Sequence, residues 1–175
     1  DGGYNAVAVG EFGGPATLDV GLLARATLLS VRRHRAANPL MRADGTTTTF
    51  SREFLEVHLE REGRRISAFV AHFRSKSNDD PERRLLEAQA AHRIITERSA
   101  EFPDALVVLG GDLNDTPGSP PINALLSGDA LHRVASVLAG DADATYFFNG
   151  AGQAIDHLVV PSARQGRVIP GSVSV

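Results

Sequence analysis

Cysteine is absent from this 175-residue chain, which excludes disulfides and thiolate metal ligands and leaves oxidising and reducing compartments equally open. No apolar run approaches the roughly 18–20 residues that span a bilayer, so stable membrane insertion is not expected. No signal peptide or lipidation motif is visible, an absence that says little if the true N-terminus lies upstream. Three sharp signatures are also missing: a Gly-Lys-Ser/Thr nucleotide loop, His-Glu-x-x-His and Gly-x-Ser-x-Gly. Lysine is nearly absent, Lys76 being the one lysine among 18 basic residues. Arginine suits bidentate phosphate contact, but such an excess equally reflects a GC-rich genome. The net charge of −3 gives no global footprint for nucleic acid.

What is present reads as an ordinary globular protein, with 42% hydrophobic and 22% charged residues. The length fits one domain over residues 1–175 with a real core. Charge is unevenly placed: Arg25, Arg32, Arg33, His34, Arg35 and Arg42 cluster early, and Asp112, Asp115, Asp129, Asp141 and Asp143 fall late. Strands are expected at Tyr4–Val9 and Thr27–Arg33. A loop with Gly13, Gly14 and Pro15 lies between them, and a polar loop from Ala36 to Thr49 follows. Phe54–Glu60 alternates apolar and polar residues, and Glu62-Gly63 joins it to Ile66–His72 as an antiparallel hairpin. Asp80 is placed to cap a helix with Pro81 at its first position and Glu82 in its first turn. Leu85, Leu86, Ala88, Ala90, Ile94 and Ile95 give that helix an apolar stripe, and it ends near Glu101–Pro103. Pro120–Leu126 reads as a short helix, and Thr145–Phe148 and Ile155–Val160 as short strands. The sum is a mixed, largely antiparallel α/β layer structure.

The most informative stretch is Leu106-Val107-Val108-Leu109-Gly110-Gly111-Asp112-Leu113-Asn114-Asp115-Thr116-Pro117. Four apolar residues bounded by turn formers predict an interior strand, and the glycines allow a sharp bend after it. In an extended segment the alternate spacing of Asp112 and Asn114 points both to one side. A carboxylate and a carboxamide at a strand's C-terminal end sit where open α/β folds place their chemistry. A plain polar turn is the bland alternative.

That run resembles the Gly-Asp-x-Asn motif of the endonuclease/exonuclease/phosphatase superfamily. Three further segments match it in order. Phe50-Ser51-Arg52-Glu53-Phe54-Leu55-Glu56-Val57 is similar to its Phe-x-Arg segment. Phe69-Val70-Ala71-His72-Phe73-Arg74-Ser75-Lys76 is similar to its strand ending in a site histidine, and Ile155-Asp156-His157-Leu158-Val159-Val160 to its late strand opening with Asp. Tyr146-Phe147-Phe148 with Gln153 to His157 is especially similar to bacterial secreted nucleases of the group. The resemblance implies a deoxyribonuclease-like α/β (α+β) fold: a two-sheet, mixed but mainly antiparallel β-sandwich with flanking helices. It also implies truncation at both ends. The family's early Asn and metal-binding Glu strands would lie upstream of Tyr4, and its Ser-Asp-His motif would lie beyond Gly171–Val175.

The roles that follow are those the resemblance implies. Asp112 orients or deprotonates the attacking water, Asn114 holds that water or a phosphoryl oxygen, and both contact a metal. His72 hydrogen-bonds the scissile phosphate, and Asp156 accepts from a catalytic histidine beyond Val175. Arg52, Arg74 and Lys76 are candidates for substrate phosphate, with loop tethering or solvated charge as the competing reading. Oxygen donors favour Mg2+, Mn2+ or Ca2+ as cofactor. His34, His58, His92, His132 and His157 lack ligand spacing and read as surface or packing residues. The expectation is a metal-dependent phosphodiester hydrolase, a nuclease acting on DNA or RNA, extracellular or at the cell surface with the cytoplasm left open. A phospholipid or sphingomyelin phosphodiesterase or a sugar-phosphate phosphatase is the first alternative, and a non-catalytic fragment or binding module the second.

Overall fold

The computed structural model describes residues 3–10, 18–138 and 140–175. Along these run β1 (Ala6–Gly10), β2 (Val20–Ala24), β3 (Thr27–Arg33), β4 (Leu40–Met41), β5 (Thr47–Thr48), β6 (Leu55–Arg61) and β7 (Arg64–His72). Helix α1 (Pro81–Glu101), β8 (Leu106–Asp112), α2 (Pro120–Leu125), β9 (Leu131–Arg133), β10 (Tyr146–Phe148), β11 (Ala151–Gln153) and β12 (Asp156–Pro161) follow. The expected loop at Gly13, Gly14 and Pro15 lies outside the described residues.

Local chemistry dictates most of the topology. Strands β6 and β7 meet through Glu62 at φ 52° and Gly63 at φ 71°. Two successive positive φ values make the primed turn whose twist matches its strands. Strands β7 and β8 pair in parallel, so their link must cross the sheet, and α1 makes that crossing. Its start is fixed as the sequence predicts: Asp80 accepts the Arg83 N–H at 3.1 Å, with Pro81 opening the helix. The main sheet has the order β3-β6-β7-β8-β12-β9, antiparallel at every pair except β7–β8.

One face of this sheet packs on α1. Phe54, Phe69, Phe73, Val107 and Leu109 meet Ala88, Ala91, Ile94 and Ile95 there. Phe50, Phe54 and Phe69 stack in series with ring centroids 5.0 and 5.6 Å apart. Each such side chain removed from water stabilises the fold by roughly 1.5–3 kcal/mol. On the opposite face the β1–β2 hairpin lays Ala6, Ala8 and Val20 over Leu55, Val57 and Leu59. The layers are therefore helix, sheet and a second, smaller sheet, the mixed sandwich that the sequence led one to expect.

Three details differ from expectation. Strand β8 does not bend at its glycines but continues through them to Asp112. Gly111 sits at φ 147°, and a Cβ there would lie 1.9 Å from the Ala71 carbonyl oxygen. Close approach to the parallel neighbour, not a turn, demands glycine. The polar loop carries the β4–β5 hairpin, and its Arg42 pairs with Asp80 and Glu82 in the first turn of α1. The buried face of α1 is also rotated from the apolar stripe: it contains Arg84, Glu87 and Arg98, whereas Leu85 and Leu86 are half-buried.

Candidate active site

Register assembles the site. Parallel pairing sets His72 opposite Asp112, and antiparallel pairing sets Asp112 opposite Asp156. Three side chains far apart in sequence thus form a row across three adjacent strands, at the C-terminal end of the parallel β7–β8 pair. Period-2 alternation puts His72 on the face of Val70, and Asp112 and Asp156 on the faces of Gly110 and Leu158, away from α1. The His72 Nε2 lies 3.7 Å from Asp112 Oδ2. That gap is too long for a direct hydrogen bond and leaves both atoms facing a shared space.

The turn after β8 is tied into this row. Asn114 adopts φ 52°, and its N–H donates to Asp112 Oδ1 at 2.8 Å. The segment is therefore not extended as the alternation predicted; asparagine tolerates this left-handed conformation and the short polar side chain before it closes the turn. The Asn114 Nδ2 donates to the Phe73 carbonyl at 3.1 Å, and Arg52 reaches the same oxygen at 3.4 Å. Phe73 in turn donates its N–H to the Asp112 carbonyl at 3.0 Å. His72, Asp112, Asn114, Asp156 and Arg52 are thus brought together.

Arg74 and Lys76 have partners within the protein. The Arg74 guanidinium donates to the Asn78 carbonyl, and the Lys76 Nζ is 3.0 Å from Asp115. Asp115 is buried and also pairs with Arg84 at 2.9 Å. Burial alone would raise its pKa, but Lys76 and Arg84 outweigh that and hold it below the usual carboxylate range. For His72, burial and then the Arg52 charge lower the pKa against the opposing pull of Asp112 and Asp156. The imidazole is therefore neutral at neutral pH. His157, next to Asp156 but on the other face, is buried and donates from Nε2 to the Asp115 carbonyl at 2.8 Å.

Glu87, Arg84 and Asp115 are participants that sequence reasoning missed. Their signal was present: Arg84 and Glu87 fall at helical spacing on the face carrying Ala88, Ala91, Ile94 and Ile95, where charge is out of place unless it has work there. Thr145 is another. Its Oγ1 accepts the N–H of Ile155 at 3.2 Å and of Asp156 at 3.0 Å, fixing where β12 begins.

The donor set suits a hard divalent cation. Like charges in direct cross-strand register repel unless something compensates them, and Asp112 and Asp156 are such a pair. With its Nδ2 committed to Phe73, Asn114 keeps its side-chain oxygen for another partner. Among the described residues no three of His, Cys, Asp or Glu surround one point. Asp112, Asp156 and the Asn114 side-chain oxygen offer oxygen donors of the kind hard divalent cations take, without forming a closed ligand set.

Over residues 11–163 the chain matches the Endonuclease/Exonuclease/phosphatase family, and it belongs to that family. Members are hydrolases of phosphate esters that generally use divalent metals. No curated protein matches the sequence. Among solved structures the fold is similar to truncated TDP2 of Caenorhabditis elegans, with a TM-score of 0.66 at 14% identity over 89% of this chain and 61% of that one. TDP2 of D. rerio, solved with a single-strand DNA product, gives 0.58 at 15% identity over 91% and 62%. A β-hairpin deletion mutant of Staphylococcus aureus beta toxin gives 0.56 at 15% over 85% and 57%. The chain thus spans about three fifths of the length of these structures. Among the described residues no helix is long and apolar enough to cross a membrane.

Proposed function

We propose that the protein is a metal-dependent phosphodiesterase acting on nucleic acid, DNA foremost. The observation that carries this reading is the cross-strand row His72–Asp112–Asp156 at the end of the parallel strand pair. Phosphodiester hydrolysis needs an oriented water, hydrogen bonds to the phosphoryl oxygens and neutralisation of charge. A neutral His72 with its proton on Nε2 can donate to a phosphoryl oxygen of the substrate. Asp112 Oδ1 accepts from Asn114, and Oδ2 takes a proton from the attacking water as the water oxygen bonds phosphorus and the P–O bond to the departing alkoxide breaks, that alkoxide taking its proton from solvent. The Asn114 side-chain oxygen orients the same water. Arg52, anchored to the Phe73 carbonyl, adds positive charge beside His72. A divalent ion held by Asp112, Asn114 and Asp156 would supply Lewis-acid stabilisation of the phosphoryl group.

Nucleic acid is favoured over other phosphodiesters by what borders the row. Thr145 ties the start of β12 to the β10–β11 hairpin, whose Tyr146, Phe147 and Phe148 are exposed. Exposed aromatic rings next to a phosphate site are platforms for unpaired bases. The relative solved with single-strand DNA is consistent with this substrate class.

The test is nicking of supercoiled plasmid with magnesium or manganese, run beside phosphocholine release from sphingomyelin vesicles. It uses these residues alone and within any longer native chain. Nicking is expected, lost on chelation, with Asp112→Ala lowering kcat about 1,000-fold or more. Nicking that survives Asp112→Ala refutes the assignment, and phosphocholine release without nicking transfers the site to the lipid alternative.

A further inference from the structure

Helix α1 reaches the site through two side chains one turn apart. Glu87 is fully buried, and its two oxygens accept the backbone N–H of Ser51 at 2.5 Å and of Arg74 at 2.6 Å. Arg84 donates to the Arg74 carbonyl at 3.1 Å while pairing with Asp115 at 2.9 Å and Asp79 at 2.7 Å. Both main-chain polar groups of Arg74 are therefore held by side chains of one helix, much as a neighbouring strand would hold them. Arg74 follows Phe73, whose carbonyl receives both Asn114 and Arg52, and Ser51 precedes Arg52. Two loops that bear site residues thus close on the same carboxylate.

Placing a carboxylate there carries a large desolvation cost. Among the described residues its nearest cationic atom, Arg83 Nε, is 3.8 Å away, so no tight ion pair forms there in return. What it gains is a fixed position for two loop N–H groups. An apolar residue would fill the same space without that constraint.

We propose that Glu87 and Arg84 are positioning residues of the phosphodiester site, holding Ser51–Arg52 and Phe73–Arg74 so that His72, Arg52 and Asn114 face Asp112 in one geometry. The proposal rests on the phosphodiesterase reading above. Displacements of about 1 Å in such a constellation cost on the order of 100-fold in rate.

Glu87→Gln is the informative variant. The amide keeps the shape and one acceptor, but its NH2 group cannot accept the second N–H, so one loop is released while the packing stays. With activity measured well below the variant's own Tm, kcat is expected to fall about 10- to 100-fold with KM changed less than about threefold. Amide hydrogen exchange should quicken at Ser51 or Arg74 and not along β8. Unchanged kcat per folded molecule overturns the proposal, as does unchanged exchange at both amides, or a loss that merely tracks the unfolded fraction. Asp112→Ala run alongside separates the two claims. If it is inert and Glu87→Gln is fully active, only the positioning role fails. If both are fully active, the phosphodiesterase reading fails with it.

Discussion

The two ends of α1 each bury a carboxylate against the sheet, and they do so in opposite ways. At its C-terminal end Glu56 of β6 is fully buried among side chains. His34 and His58 meet its two oxygens through Nε2 at 2.6 and 2.5 Å, and Arg98 Nε lies 2.7 Å away with its N–H aimed off the oxygen. Asn38 donates to the His34 Nδ1 at 3.1 Å and Ser67 to the His58 Nδ1 at 3.0 Å. Arg98 adds a guanidinium counter-charge beside these two ring contacts. At the N-terminal end Glu87 is equally buried but is met by backbone N–H groups. Burial would raise either pKa. For Glu56 the histidine hydrogen bonds and Arg98 outweigh it, and the carboxyl is held far below its usual range. For Glu87 burial prevails over the hydrogen bonds from Ser51 and Arg74, and the pKa is raised. A carboxylate compensated by a cation holds the fold together. One compensated only by loop amides holds a geometry, at some expense to stability.

The largest effect on this contrast should come from Glu56→Gln. It removes the charge facing Arg98, which keeps only the half-exposed Glu101 as an ionic partner, and it puts an amide NH2 group where a histidine nitrogen met a carboxylate oxygen. A stability loss of about 3–5 kcal/mol is expected in a denaturant titration, with kcat per folded molecule nearly unchanged. A loss below about 1 kcal/mol would mean the cluster is wetter than the structure shows. The pH dependence should then separate the two sites by sign. A depressed Glu56 contributes stability that is complete above the unfolded carboxyl value of about 4.5 and is lost as pH falls through its folded value. A raised Glu87 does the reverse, because the native state releases its proton later than the unfolded chain. Stability is then withdrawn as pH rises from about 4.5 through the folded value. The cost of Glu56→Gln should therefore shrink on acidification and the cost of Glu87→Gln should shrink on alkalinisation. Parallel slopes would break the comparison.

How much of this was written in the chain depends on whether a contact is local. The α1 cap, the Glu62-Gly63 turn and the start of α2 at Pro120 are decided within a few residues and are legible. The row of His72, Asp112 and Asp156 was legible only as separate motifs, because nothing in one sequence states strand register. Gly111 suggests a bend in the sequence alone, because the reason for it, the Ala71 carbonyl of the adjacent strand, lies forty residues away. Arg84 and Glu87 stand at helical spacing among apolar residues, but apolar periodicity points to Leu85 and Leu86 and carries no signal for buried charge. His34 and His58 read as packing residues, and their common partner Glu56 became visible only when β3 and β6 paired.

The smallest expected effect tests how far the site end depends on charge at all. Lys76 is half-exposed, and its ammonium meets Asp115 from the solvent side. Arg84 meets the same carboxylate from the interior and also holds the Arg74 carbonyl. If the interior contact fixes the loop, Lys76→Ala removes only a screened surface pair, worth about 0.2–1 kcal/mol. Asp115 would keep its guanidinium partner, and its Oδ1 would still accept the Thr116 N–H at 3.1 Å. KM for plasmid should then rise less than about threefold, and by the same factor at low and high salt. A large rise in KM that vanishes at high salt would assign Lys76 to the substrate phosphate instead. In that case the ion pair with Asp115 describes the lysine only while no phosphate is bound. Either result fixes where the protein's own structure ends and the substrate's contacts begin.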